Sequence, residues 1–575
     1  MSTIDWIVLF VTLVAIVLYG LYKSRGTKDI NDFLLGNQSL PWYHVTLSVM
    51  ATQASAITFL SAPGLAFSTG MSFVQFYFGL PLAMIVLCIT FVPIFHKLKV
   101  FTAYEFLEKR FDLRTRALTA FLFLIQRGLS TGITIYAPSI ILSTILDINT
   151  TYTTLFIGGL VITYTVYGGT KAVSYTQLMQ MSIIFSGLFV AGIMVVHLLP
   201  ANIGFSKAIQ IAGKMGRTNA IDFSFDWNNQ YTVWSGLIGG FFLQLSYFGT
   251  DQSQVGRYLT GASVSQSRLG LLMNGLVKIP MQFLILLIGI LVFAFYQYNQ
   301  PPVFFNSYEL NKLEKSSYSP QLQEIKNKYS TAFGEKQEQV NILNTALESG
   351  NEKAVDKSRI ILQKADEKTK TIRKEAVDLM LKNDPNADTN DNNYVFLSFV
   401  TRYLPKGLIG LLIAIIFLAS MGSTASALNS LASTTVIDIY KRLIHKNGSD
   451  ANYLWASRWA TIIWGLVCIM MALYASKLGN LIEAVNILGS LFYGTILGIF
   501  IVAFYLKKVG GIAVFAAAIL TEIVVFTCWL TNVMAFLWLN VLGCLLVVII
   551  SLIITSFSKK QNSILNSGSE IPFAE

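Results

Sequence analysis

GLIGLLIAIIFLASMGSTASALNSLASTTVIDIYKR, residues 407–442, begins as an ordinary lipid-facing helix and turns, without losing membrane length, into a run of small and hydroxyl-bearing residues. A helix that only had to sit among acyl chains would stay rich in Leu, Ile and Val, because nothing in lipid satisfies a loose polar group. This one carries Ser420, Ser423, Thr424, Ser426, Asn429, Ser430, Ser433, Thr434 and Thr435. Small residues let neighbouring backbones approach closely, and hard oxygens can dress a small cation. Taken alone, the stretch balances evenly between helix packing and an ion site.

The rest of the chain is built to the same scale. Of its 575 residues 54% are hydrophobic and only 13% charged, and the apolar residues fall into blocks of about 20, the length that crosses a bilayer. Thirteen candidate spans follow: 4–22, 43–66, 74–95, 118–145, 152–168, 179–199, 232–250, 271–297, 403–428, 454–474, 481–505, 510–531 and 533–556. The fold class is therefore an all-α polytopic membrane protein. Cationic residues cluster in alternate short loops: Lys97, Lys99, Lys109, Arg110, Arg114 and Arg116, then Arg257 and Arg268, then Lys441, Arg442, Lys446, Lys507 and Lys508. With Lys23, Arg25 and Lys28 behind the first span, the positive-inside rule puts the N-terminus outside and Lys559 and Lys560 in the cytoplasm of a plasma (inner) membrane. The net charge of +11 thus has a topological origin, and no basic stripe interleaved with aromatics points to nucleic acid. Cys88, Cys468, Cys528 and Cys544 lie singly within spans, which suggests neither a zinc site nor a disulfide framework.

One hydrophilic, nearly charge-balanced segment, 299–395, interrupts the pattern on the external side, bounded by Pro301-Pro302 and an Asn/Asp cluster at 383–393. Helical periodicity over 335–382 points to an exposed hairpin or a partly disordered insert with a peripheral role, open to an external partner.

Two spans are broken in their middles. The second carries Ser48, Ala51, Thr52, Gln53, Ala54, Ser55, Ala56 and Thr58; the seventh carries Gly236, Gly239, Gly240, Gly249, Gln244, Ser246 and Tyr247. Transporters unwind helices at the midplane so that freed carbonyls meet an ion and half-helix ends face the substrate. Two such spans, five apart, are the trace of an inverted five-helix repeat. Lys278 sits about two turns inside a span, where an ammonium either snorkels to the boundary or serves a cavity that takes an anion or a polyhydroxylated solute. No Ser/His/Asp set, intramembrane carboxylate pair, nucleotide loop or HExxH pattern appears, so the sequence does not read as an enzyme.

NDFLLGNQSLPW (31–42), FTAYEFLEKRF (101–111), GITIYAP (132–138), TYTVYGGTKAVSYTQLMQ (163–180), YFGTDQSQVGRYL (247–259) and ALNSLASTTVIDIYKR (427–442) together resemble the sodium/solute symporter family. That resemblance implies a five-plus-five inverted-repeat core with one preceding and about two following spans, working by alternating access. It divides the chain into a first span and cytoplasmic loop (1–42), a first part of the core (43–298), the insert (299–395), the rest of the core (396–531) and a last span with tail (532–575). It also implies a sodium site made by the carbonyls of Ala51, Ala54 and Ala419 and the hydroxyl of Ser423. A second family hydroxyl is replaced by Gly422, for which Thr424, a carbonyl or water would compensate; Gln177 replaces an Asp tied to sodium coupling. Against the sugar-transporting members, Gln53, Gln244, Tyr247, Lys278 and Asn486 match substrate positions. Tyr77 replaces an acidic residue there and Thr58 an amide. IYAP and DQSQVGRY resemble the iodide, monocarboxylate and vitamin branch instead. The implied function is sodium-coupled import of a small solute, with an organic anion such as a monocarboxylate favoured; a sugar symporter and a transporter-like sensor with little net flux are the alternatives.

Overall fold

The computed structural model describes residues 1–23, 38–98 and 102–567, with only the backbone traced at a few helical positions including 167–174 and 558–567. Arg25, Lys28, Lys99, Phe101 and the NDFLLGN part of the first motif lie outside the described residues, and the side chains of YGGTKAVS and of Lys559 and Lys560 are not placed. Among the described residues the chain is helical, with a single isolated bridge between Leu40 and Gly261.

Helix α1 (Thr3–Lys23) leads into a broken pair, α2 (Trp42–Gln53) and α3 (Ala56–Thr69), bent by 60° at the join. A 3-10 turn (Ser72–Tyr77) opens the next span, which continues as α4 (Leu80–Ile89) and α5 (Phe91–Leu98). The short α6 (Glu105–Arg110) precedes α7 (Leu113–Leu146), α8 (Thr150–His197) and the short α9 (Phe205–Lys214). A π turn (Ser235–Gly239) then runs into α10 (Gly240–Thr250), which breaks at Asp251 before α11 (Gln252–Tyr258) and α12 (Val264–Tyr298). Beyond α13 (Ser307–Glu314), the insert is a helical hairpin of α14 (Ser319–Glu348) and α15 (Glu352–Asn383). The core resumes with α16 (Val395–Tyr403), α17 (Leu408–Thr434, extended by a π segment to Ile444), α18 (Asp450–Tyr474), α19 (Leu481–Tyr505), α20 (Gly511–Leu530) and α21 (Phe536–Ser567).

Among the described residues nine helices are long and apolar enough to cross a membrane, and the bent α2–α3 pair makes ten. Thr3–Ile16 and Thr150–Thr163 are shorter apolar helices, and the interrupted 235–258 segment accounts for the thirteenth expected span. Three boundaries differ from expectation. The fifth and sixth spans join in a single 48-residue helix, about 72 Å along its axis, because no proline stands between Thr150 and His197 to stop the backbone pattern. The last helix also runs past 556, to Ser567. The hairpin itself begins at Ser319 rather than 335, on buried positions Leu322, Ile325, Tyr329, Ala332, Phe333 and Lys336 that keep helical spacing among charged and polar residues.

The breaks are positioned by backbone-to-backbone contact. A Cβ on Gly236 would stand 2.0 Å from the Gln75 carbonyl oxygen, and one on Gly79 would stand 2.2 Å from the Phe241 nitrogen. The glycines thus let the 3-10 turn before α4 and the π turn before α10 press together without side chains between them. This contact sets Tyr77 opposite α10. Helix α12 packs along both halves of the first broken span, and α17 packs against α1, α7 and α8.

Candidate functional site

At the first break, Ala54 has φ −86° and ψ 77° and Ser55 is extended, so the helical ladder is interrupted. The Ser55 amide donates to the Gln53 carbonyl (3.1 Å) and the Thr58 amide to the Ser55 carbonyl (3.0 Å). Those are the two amides that would otherwise bond the carbonyls of Ala51 and Ala54, whose oxygens are left for another donor or a cation. Opposite them, α17 is buried along its whole hydroxyl-bearing half. Ser423 Oγ donates to the Ala419 carbonyl (2.9 Å) and the Ser420 carbonyl (3.2 Å), which keeps its lone pairs available, and the buried Thr424 hydroxyl has no hydrogen-bond partner among the described residues. Thr52 Oγ1 and Ser426 Oγ lie 3.4 Å apart, so this face of α17 meets α2 directly. The donor set suits a small hard cation: neutral oxygens only, three of the five being carbonyls and two of those standing at a helix C-terminus.

Gln177 occupies the gap beside it. Ser48 Oγ donates to its Oε1 (2.7 Å), and its Nε2 donates to Thr52 Oγ1 (3.3 Å) and the Gly422 carbonyl (3.4 Å). A neutral amide therefore ties α2, α8 and α17 together where a carboxylate would attract a second cation. A Cβ on Gly422 would lie 2.7 Å from Gln180 Oε1, the unpartnered end of a flexible side chain.

A cavity of about 80 Å³ opens on the other side of the break. Its wall includes Gln53, Thr58, Tyr77, Gln244, Tyr247 and Asn486, six of the seven substrate positions marked in the sequence. Gln53 Nε2 donates to Gln244 Oε1 at 3.5 Å, so the two broken spans touch across the site through their amides. Lys278 stands apart: it is fully buried, its Nζ lies 5.6 Å from the centroid of the Tyr77 ring with no hydrogen-bond partner among the described residues, and it does not line the cavity. It has not snorkelled to the boundary, and Tyr77 separates it from the solute space.

The cavity's own cation is Arg127, which the sequence reading passed over. It sits on α7 beside Gln126, 8% exposed, with Nη1 3.6 Å from Asp251 Oδ2, its guanidinium carbon 6.0 Å from the Tyr247 ring centroid and Nε unpartnered. Asp251 is already occupied: Oδ1 accepts from the Ser253 amide (2.8 Å) and hydroxyl (2.6 Å), and Oδ2 from the Tyr493 hydroxyl (2.7 Å). It caps α11 and so holds the second break open. The signal for Arg127 was an arginine well inside an apolar span, the same signal that singled out Lys278.

The sodium:solute symporter family matches residues 33–305 and 384–521, well over half of the chain. The chain belongs to the sodium:solute symporter family. Members similar to this symporter include sodium-coupled monocarboxylate transporter 1 of Xenopus laevis, 25% identical over 86% of this chain and 67% of its own length. The sodium/sialic acid symporter NanT of Aliivibrio fischeri is 25% identical over 96% of this chain and 92% of its own. The sodium/iodide cotransporter of Homo sapiens is 31% identical, but over 47% of this chain and 42% of its own. Among solved structures, a substrate-bound, outward-open sodium-coupled sialic acid symporter superimposes with a TM-score of 0.74 at 22% identity, covering 97% of this chain and 98% of that one. The inverted-repeat transporter fold is thereby established. The symporter is a sodium-coupled, multi-pass membrane protein whose relatives are transporters rather than enzymes. The internal stretch the family does not match, 306–383, coincides with α13 and the helical hairpin.

Proposed function

We propose that this symporter imports a small organic anion of the monocarboxylate type together with sodium by alternating access. The carrying observation is Arg127, a buried guanidinium with an unpartnered Nε in the wall of the central cavity. Its planar fork suits a carboxylate, and a volume of about 80 Å³ has room for only several water-sized groups. Sodium at the carbonyls of Ala51, Ala54 and Ala419 and the hydroxyls of Ser423 and Thr424 orders the break between α2 and α3, which also carries Gln53 and Thr58 of the cavity wall. The two ligands therefore favour the same state, and each raises the other's affinity by the same factor. In this reading Gln177 leaves no second cation site, the N-terminus and the hairpin are external, and the basic loops face the cytoplasm of the plasma membrane.

A sugar keeps a specific argument in its favour, the three amides of Gln53, Gln244 and Asn486 around the same cavity. A thermal-shift screen of the purified symporter separates the two. Monocarboxylates at about 100 times their dissociation constant should stabilise it by about 2.7 kcal/mol in sodium and less in choline, and Arg127→Gln should remove the sodium-dependent part of that shift. Stabilisation by glucose and not by carboxylates would overturn the anion reading.

A further inference from the structure

A second cavity, of about 180 Å³, lies where the hairpin meets the core. The core side contributes Phe67 and Ser68 at the end of α3, Phe293 and Tyr296 at the end of α12, and Arg217; the charged groups of the hairpin side are Lys336, Asp366, Lys370 and Arg373. Phe67 is nine residues beyond Thr58 on the same helix, about 13 Å along its axis, so this cavity is separate from the central one.

Charge bookkeeping around it leaves one cation over. Lys336 is held by Asp366 (2.8 Å), Lys370 by Glu367 (2.7 Å) as well as Asp366 (3.0 Å), and Arg373 by Asp391 (2.5 Å). Arg217 makes no ion pair among the described residues. Its guanidinium carbon lies 5.0 Å from the Phe293 ring centroid, and its Nε is buried without a hydrogen-bond partner. A half-buried guanidinium with an open Nε donor, backed by aromatic faces, is a site for one negative charge on a flat or apolar body. The aromatic rings supply the wall for that body, Phe67 packing edge-on against Phe293 (5.6 Å) and Tyr296 (6.0 Å).

We propose that the hairpin and the core together form a second anion site, which takes a monovalent carboxylate on Arg217 with its apolar part against Phe67, Phe293 and Tyr296. The hairpin closes the site from one side, so the unmatched insert gives this symporter a ligand pocket that the transporter core alone does not enclose. Occupancy there fixes the end of α3, the helix whose other end begins at the sodium break.

Benzoate is the probe, titrated by calorimetry against the full-length protein in nanodiscs in sodium-free choline buffer, where binding is independent of sodium coupling at the central cavity. The expected result is one benzoate per chain, retained in Arg127→Gln and weakened at least tenfold in Arg217→Gln. Ser68→Phe, which fills the cavity and leaves every charge in place, should weaken it comparably, so a folding defect in the arginine variant does not decide the matter. Binding unchanged in both Arg217→Gln and Ser68→Phe, or lost in Arg127→Gln alone, or absent from the wild-type protein, overturns the proposal. Failure of the central-anion reading shows separately, as a sodium-dependent part of the monocarboxylate thermal shift that Arg127→Gln does not remove.

Discussion

Ser423 and Gly422 are adjacent residues with opposite expected effects on sodium. Removing the hydroxyl with Ser423→Ala takes away an oxygen already oriented by the Ala419 carbonyl. An interaction with a charged ligand is worth about 1.5–3 kcal/mol, so the sodium concentration for half-maximal uptake should rise at least about tenfold; an unchanged value removes Ser423 from the site. Gly422→Ser should do the reverse, because the only close obstacle to its Cβ is Gln180 Oε1, which can swing aside. A lower half-maximal sodium concentration is expected, and an increase would show that Gln180 cannot move. At this scale the sequence was informative where the chemistry is local. Gln53, Thr58, Tyr77, Gln244, Tyr247 and Asn486 do share one wall. Lys278 and Arg127 were indistinguishable as isolated intramembrane cations, because which of them faces a cavity depends on where Tyr77 is placed by a glycine contact between distant segments.

The elements divide by what stabilises them. The contact between the two broken spans depends on absent side chains, so Gly236→Val forces a branched side chain against the Gln75 carbonyl. Overpacking of this kind costs about 1–3 kcal/mol, and a melting temperature lowered by several degrees with uptake largely lost is expected; wild-type behaviour would mean the two turns are free to separate. Both breaks were legible because small and polar residues interrupt apolar runs. The first turns of α14 were not, because their buried positions Leu322, Ile325, Tyr329 and Ala332 are spaced among charged and polar residues, and the Lys336 that follows is buried only through Asp366 on the other helix of the hairpin. The hairpin's base also carries a pH signature. Asp388, which accepts from the Tyr394 hydroxyl (3.1 Å), is lifted to about 7 by burial, opposed by that hydrogen bond and aided by Glu309 and Asp391 nearby. The folded protein therefore holds a proton that the unfolded chain releases near 3.9, so stability should fall as pH rises from about 4 to about 7 and level off above. Asp388→Asn should flatten that slope in thermal unfolding at pH 5 and pH 8; an identical slope would assign the proton elsewhere.

At the level of the whole molecule, an inverted-repeat core is joined to an insert that the family does not match. The span count was readable from hydropathy because a bilayer imposes one length on every crossing, yet the continuity of the fifth and sixth spans was not, since a stretch of moderate polarity reads as a loop while its backbone keeps the helical pattern. The hydroxyl run at 407–442 is now divided by contact: Ser423 bonds the Ala419 and Ser420 carbonyls, Ser426 accepts from Arg257 Nε (2.9 Å), and Ser430 and Ser433 bond back to their own helix; the proposed sodium site uses Ser423 and Thr424. The central claim is that a sodium gradient drives a small organic anion through this core. Uptake of labelled monocarboxylate into proteoliposomes, with an inward sodium gradient and with choline in its place, tests it most directly. Concentrative uptake that needs sodium and is lost in Arg127→Gln is the predicted result. Accumulation that proceeds equally without sodium, or binding with no net flux, would contradict it.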